Sequence, residues 1–261
     1  MRVANPPLCL PGRRTVLAAT VAMGFGIPDL ARAAETLRIA YTNTYPPLSF
    51  LDAGSIKGVL IDVFDELLGK RLGLSLNHEG LPWARAQDTV RDGGADAFCT
   101  DRTEKRSEYV NFGDETVIAI NYAVFYAKNN PKASDIQKIA TVDDLRAFSQ
   151  GDYLGNGFAE THFKSLKIDW AANIDQVFGK VIAGRNDVTV AAEMVGRWTA
   201  RKLNLTDQLG VLPVNIAPAA EFRLAIRKTY PDNEALLRRF DEAVKAARTE
   251  GLLKDIEAKY A

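Results

Sequence analysis

Residues 79–112 read EGLPWARAQDTVRDGGADAFCTDRTEKRSEYVNF, and the order of elements within them decides the fold. Residues 83–94 set Ala86 and Val90 at helical spacing and stop at Gly93-Gly94. The apolar ADAFC that follows, 95–99, reads as a short strand, and LSLNHE, 74–79, as the strand before it. Strand, helix, strand in that order calls for parallel pairing through a right-handed crossover. Such sheets bind ligands beyond the carboxyl ends of their strands, where Trp83 and the loop carrying Arg106 both fall.

The same alternation extends to both sides. LRIAYTN, 37–43, is a strand ended by Tyr45-Pro46-Pro47, since proline removes a ladder donor and restricts the residue before it. Ile61, Phe64, Leu67, Leu68 and Leu72 recur at helical spacing up to a stop at Gly73. TVIAINYAVFYAK, 116–128, is a long β-rich segment, and the polar NNPKASD after it, 129–135, marks a crossing into a second unit. In that unit Thr141 with Asp144 forms a capping box and GDYLGNG, 151–157, a strand entering a glycine turn. Helices follow over 158–166 and, capped by Asn173, over 174–184; NDVTVAA, 186–192, is a strand and 193–203 a further helix. FRLAIRK, 222–228, returns to the first unit, and helices over 235–251 and 252–260 close the chain. The expectation is an α/β protein of two lobes joined by two crossovers, with 34–127 plus 222–261 as the first lobe and 128–221 as the second. A cleft between lobes is the default place for a small ligand.

With 261 residues, 47% hydrophobic and 25% charged, the chain has the composition of an ordinary globular protein, long enough for two modest cores. Residues 1–33 differ: Arg13-Arg14, the apolar run TVLAATVAMGFGIP and Ala31-Arg32-Ala33 read as an export signal cleaved near Ala33, whose twin arginine fits either export route. The run falls short of the ~20 apolar residues that span a bilayer. Cys9 precedes it, the wrong side for a lipid-bearing cysteine. Without residues 1–33 the chain keeps 29 basic and 32 acidic side chains, a net charge of −3 that offers nothing to nucleic acid or an anionic membrane. Cys99 is then the sole cysteine, which excludes an intramolecular disulfide.

Signals for chemistry are sparse. His78 and His162 lack metal-ligand spacing, and no phosphate-binding glycine motif or nucleophile elbow is present, so neither metal nor cofactor is expected. Cys99, at an apolar strand end with no histidine to activate it, reads as a small buried hydrophobe. Trp170 and Trp198 read as packing residues and Arg85 as a solvated helix position.

Taken together, GVLIDVFDELLGKRLG, PWARAQDTVRDGGADAF, TEKRSEYVNF, FRLAIRK followed by YPDNEALLRRFDEAV, and EGLLKDIEAKY resemble the periplasmic solute-binding proteins of ABC importers, in particular the polar amino-acid-binding type. The resemblance spans nearly all of 34–261 in the family's order. It implies a type II periplasmic-binding-protein architecture that closes on a ligand by hinge bending. It also implies a monomer, a periplasmic location, a membrane permease as partner and no catalysis. By the same resemblance Tyr45 packs on the ligand, Trp83 lines the pocket and Arg106, from Thr103-Glu104-Lys105-Arg106, grips a carboxylate with its planar fork. Read without the motif, Arg106 is a solvated loop residue pairing with Glu104 or Glu108. Gly157 and Phe158 stand where the family's small turn faces the ligand, and a plain glycine turn with Phe158 in the core is the other reading.

The chain departs from the family twice. FCTDR is about two residues shorter than the usual run with small hydroxyls, which leaves Thr100 as a hydroxyl donor and Arg102 as an alternative to Arg106. In GRNDVTVAAE the position of the aspartate that receives the ligand's ammonium holds Ala192, with Glu193 next. Either Glu193 substitutes by a local shift, or the ligand is not an ordinary α-amino acid. Glu193 would also be the acid or base of an enzyme on this scaffold, dehydratase-like in kind, and a sensing or oxidoreductase-accessory role is the remaining alternative.

Overall fold

The computed structural model describes Met1 and residues 36–260. The export signal expected over 1–33 therefore lies, apart from Met1, outside the described residues. The chain opens with β1, Leu37–Thr42, then β2, Thr44–Tyr45, and a hairpin of β3, Ser49–Asp52, and β4, Ser55–Lys57. Helix α1, Val59–Phe64, continues into a π-helical stretch, Asp65–Arg71, so the apolar spacing read over 61–73 spans two helix geometries. Next come β5, Leu76–Leu81, α2, Trp83–Arg91, and β6, Ala97–Thr100. A short α3, Glu104–Ser107, leads to β7, Val110–Phe112, and β8, Ile118–Ile120.

The middle of the chain holds β9, Tyr122–Ala127, α4, Ala133–Ile136, β10, Gln150–Tyr153, and α5, Gly157–His162. It goes on through β11, Ile168–Ala171, α6, Ile174–Ile182, β12, Val188–Ala192, α7, Glu193–Lys202, and β13, Leu209–Val214. β14, Ala220–Arg227, returns, followed by α8, Asn233–Thr249, and α9, Leu252–Ala258. Among the described residues no helix is long and apolar enough to cross a membrane.

Two large sheets organise these elements, beside a small one of β2, β3 and β4. The first runs β5-β1-β6-β14-β7, with β8 also on β14. β1 pairs in parallel with β5 on one side and β6 on the other, which makes it the point where the winding reverses. Its side chains alternate between faces: Leu37, Ile39 and Tyr41 join a core with Phe64 and Leu67 of the first helical unit, while Ala40 joins Ala86 and Val90 of α2. Phe64 meets Phe240 of α8 edge-on at 5.6 Å, and burying a ring of this kind contributes about 1.5–3 kcal/mol. The second sheet runs β11-β10-β12-β9-β13, and β10 is its reversal point, parallel to β11 and β12. Separate apolar clusters cover its two faces.

β9, placed with the first lobe in the division at residue 127, is a member of the second sheet, antiparallel to both β12 and β13. The change of sheet falls at Asn121, between β8 and β9, and the return falls between β13 and β14. The expected capping devices form as written. Asp144 Oδ2 accepts the Thr141 N–H at 2.8 Å while Thr141 Oγ1 accepts the Asp144 N–H at 3.3 Å, and Asn173 accepts the Gln176 N–H at 3.0 Å. Trp170, expected to pack, lies on the edge strand β11 and is 38% exposed. Trp198 does pack, with ring centroids 5.4 Å from Phe50 and 6.2 Å from Tyr260.

The loop bearing Tyr45 is fixed to the start of α1. Val59 N–H donates to the Pro47 carbonyl at 2.9 Å and Leu60 N–H to the Leu48 carbonyl at 3.1 Å. Gly58 permits this approach: its φ is 134°, and a Cβ there would lie 2.4 Å from the Leu48 carbonyl oxygen and 2.6 Å from that of Pro47. Both obstacles are backbone, so neither can turn aside. Gly58→Ala is expected to cost about 2 kcal/mol and to lower the melting temperature by about 4–8 °C in a scanning calorimeter. A melting temperature equal to the parent's would show that the loop yields.

Candidate functional site

The carboxyl ends of the parallel strands in both sheets open onto one cleft of about 690 Å³. Tyr45, Trp83, Thr100, Asp101 and Arg106 line it from the first sheet's side, and Tyr122, Tyr153, Gly157, Phe158 and His162 from the second's. Six of the seven residues expected at a ligand site, all but Glu193, are thereby brought together.

Arg106 is held from several directions. Thr103 caps α3, its Oγ1 accepting the Arg106 N–H at 3.2 Å, which sets the backbone. The guanidinium donates from Nε to Gln87 Oε1 at 3.1 Å and from Nη1 to the Asp101 carbonyl at 3.0 Å and carboxylate Oδ1 at 2.8 Å. Its carbon sits 5.3 Å from the centroid of the Trp83 ring, a cation–π arrangement, and the side chain is 16% exposed. Neither Glu104 nor Glu108 pairs with it. Arg102 points elsewhere: it lies over Phe112, donates to the Phe112 and Gly113 carbonyls and is 51% exposed. Thr100 is buried, and its hydroxyl donates to Asp101 Oδ1 at 2.9 Å.

The second side is aromatic. Phe158 stacks on Tyr122 with centroids 3.7 Å apart, touches His162 at 4.6 Å and meets Phe163 of the core edge-on, so it both lines the cleft and packs. Its N–H is taken by the Asn156 side chain at 3.2 Å and is not free for an anion. Burial, then the Tyr153 and Tyr122 hydroxyls, push the Tyr45 phenol well above the ordinary tyrosine range. Burial and the charge of Asp101 push Tyr122 up to about 12, and burial with Asp152 does the same for Tyr153. All three phenols are neutral near pH 7 and able to donate hydrogen bonds.

Glu193 does not line this cleft. It starts α7, and its Oε1 accepts from Arg197 Nε and Nη2 at 2.8 and 2.7 Å, one helical turn on. The pair faces a separate cavity of about 200 Å³ with Leu48, Asn121 and Glu257. Ala192, at the end of β12, is buried. Asp152 lies behind the cleft: its Oδ1 accepts the Tyr153 N–H at 2.7 Å and Asn156 Nδ2 at 2.9 Å, and burial raises its carboxyl to about 6. Cys99 is buried, and burial pushes its thiol up, away from reactivity. His78 lies between the Tyr41 hydroxyl, 2.8 Å from Nδ1, and Asp65, 3.0 Å from Nε2. Among the described residues no three His, Cys, Asp or Glu side chains gather as a metal site would require. Arg85 is exposed, as its helix position implies. Sequence reasoning missed Tyr122 and Tyr153, since nothing in a strand pattern shows which aromatic ends at a cleft.

A family model described as bacterial extracellular solute-binding proteins, family 3, matches residues 37–261. The chain belongs to that family. No curated protein sequence matches it significantly. Among solved structures, an ancestral cationic amino acid solute-binding protein is similar with a TM-score of 0.69 at 24% identity, over 86% of this chain and 95% of that one. The second substrate-binding domain of an amino acid ABC transporter protein from Streptococcus pneumoniae, described as putative in that role, gives 0.67 at 18% identity, over 86% and 99%. A histidine kinase sensor domain with similarity to periplasmic binding proteins gives 0.65 at 22% identity, over 87% and 96%. At these identities the likenesses establish the family 3 solute-binding protein as a type II periplasmic binding fold.

Proposed function

We propose that this family 3 protein is the periplasmic receptor of an ABC importer, a monomer that binds a small carboxylate-bearing solute in its cleft and releases it unchanged to a membrane permease. The observation that carries the reading is Arg106, mostly buried, laid over Trp83 and held by Gln87 at the carboxyl ends of the first sheet. A fixed, permanently charged fork in an aromatic cleft suits a planar anion. Tyr45 and Trp83 pack on the rest of the ligand, and Thr100, Gly157 and Phe158 complete the walls. The enzyme reading loses its proposed acid or base, because Glu193 faces another cavity and is paired with Arg197.

A thermal-shift screen of the protein lacking residues 1–33 against amino acids, organic acids, amines and sugars tests this. A ligand at 100 times its Kd adds about 2.7 kcal/mol of stability, and the expected hits are carboxylates. Stabilisation by neutral sugars alone would overturn the reading, as would recovery of a chemically altered ligand. Permease and ATPase genes beside this one are expected from the importer role.

A further inference from the structure

Ala192, at the end of β12, is buried and offers no charge to a ligand's ammonium. The neighbouring Glu193 is spent on Arg197 outside the cleft. Asp152 is turned into its own strand end, and Glu221 pairs with Arg223. Among the described residues that line the cleft, Asp101 is the one carboxylate and Arg106 the one permanent cation; His162 is the other titratable base. The fixed charges of the lining therefore cancel, and a ligand with an unmatched charge would be buried at a cost.

The hydrogen bonds of the pair are incomplete in a complementary way. Asp101 uses Oδ1 for both Arg106 Nη1 and the Thr100 hydroxyl, and its Oδ2 has no partner. Arg106 uses Nε and Nη1, and its Nη2 has no partner. The pair thus keeps one unused acceptor and one unused donor, on two residues that line the cleft. Asp101 is 42% exposed and reaches far enough across for its charge to be felt at the Tyr122 hydroxyl. The turn from β6 into α3 sets Asp101 beside the fork, five residues before Arg106.

We propose that Asp101, from the first lobe, receives the ammonium of a net-neutral zwitterionic ligand whose carboxylate is held by Arg106. The proposal rests on the carboxylate reading of the cleft given above. The Asp101–Arg106 contact is then a template: the ligand's two charged groups dock against an internal pair of opposite sign. The wall beyond, with Tyr45, Trp83, Tyr122, Tyr153 and Phe158, takes an uncharged and preferably aromatic side chain.

The test compares the parent with Asp101→Asn by thermal shift and calorimetric titration. The probes are L-phenylalanine and L-leucine, their amine-free counterparts 3-phenylpropanoate and 4-methylpentanoate, and the charged L-arginine and L-glutamate. The parent is expected to bind the two neutral amino acids at least tenfold more tightly than any other probe. Asp101→Asn is expected to weaken the amino acids about thirtyfold while leaving the amine-free acids unchanged or tighter, since Arg106 loses an internal competitor. Parallel weakening of both classes would reduce Asp101 to a positioning residue for Arg106 and overturn the proposal. Preference of the parent for arginine or glutamate would overturn it as well. Absence of any carboxylate binding by the parent would instead overturn the carboxylate reading itself, and this inference with it. The exposure of Asp101 makes a folded variant the expectation, checked by an unliganded melting temperature within a few degrees of the parent's.

Discussion

Replacing Arg106 by alanine is expected to raise the Kd of a carboxylate ligand about a thousandfold, the ~4 kcal/mol that a mostly buried, hydrogen-bonded charge pair loses when one member is removed. The effect is large because nothing else at the wall replaces the fork. Arg102 is turned to Phe112 and Gly113, and the Phe158 N–H is already bonded to Asn156. A ligand present at 100 times its Kd would then stand at about a tenth of the new one, so its stabilisation would fall from about 2.7 kcal/mol to less than 0.1. The unliganded fold should tolerate the change, since the abandoned Asp101 is 42% exposed and can be hydrated. Arg106→Lys separates charge from shape: a point charge without the planar fork is expected to recover only part of the affinity. If the alanine variant binds the screen's hits as tightly as the parent does, Arg106 is not the anchor.

How much of this was legible in the sequence depended on whether a feature was local. α2 and β6 were readable because Ala86, Val90 and the Gly93-Gly94 stop report their own periodicity. The membership of β9 was not, because the apolar run 116–128 contains no break except Asn121, and the choice of pairing partner belongs to tertiary structure. Glu193 shows the same limit at a finer scale. Once α7 begins at that residue, its side chain is carried to the helix face shared with Arg197, and a one-residue offset from the family position becomes a different cavity. The Asp101–Arg106 pair follows no helix or strand period at all. It forms because the loop after β6 reverses into α3, whereas the sequence offered Glu104 or Glu108 as the partner of Arg106.

The largest stability effect lies at the opposite ends of the first sheet's central strands. Asp96, 3% exposed, accepts from Arg38 Nε at 2.9 Å and Nη2 at 2.8 Å, from the Arg38 N–H at 3.0 Å and from Arg227 Nε at 3.0 Å. It thereby ties β1 and β14 to the start of β6. Burial works against its charge, but the bonds from Arg38 and Arg227 outweigh that and hold the carboxyl below the usual aspartate range. Asp96→Asn leaves two guanidiniums facing a neutral amide. Breaking a buried pair costs 3–5 kcal/mol, and the 40% exposure of Arg38 favours the lower end, about 3 kcal/mol, or about 6–12 °C in melting temperature. The sign of the pH dependence follows from the lowered carboxyl. Its contribution is fully present above the unfolded value near ~3.9 and is lost as pH falls through the folded one. The gap between parent and variant should therefore be constant from pH 7 to about 5 and close below about 4, with ligand affinity at pH 7 unchanged because the cleft lies at the other ends of the strands. A gap that persists undiminished in acid would mean that the amide's geometry, and not the missing charge, is what these three strands cannot accommodate.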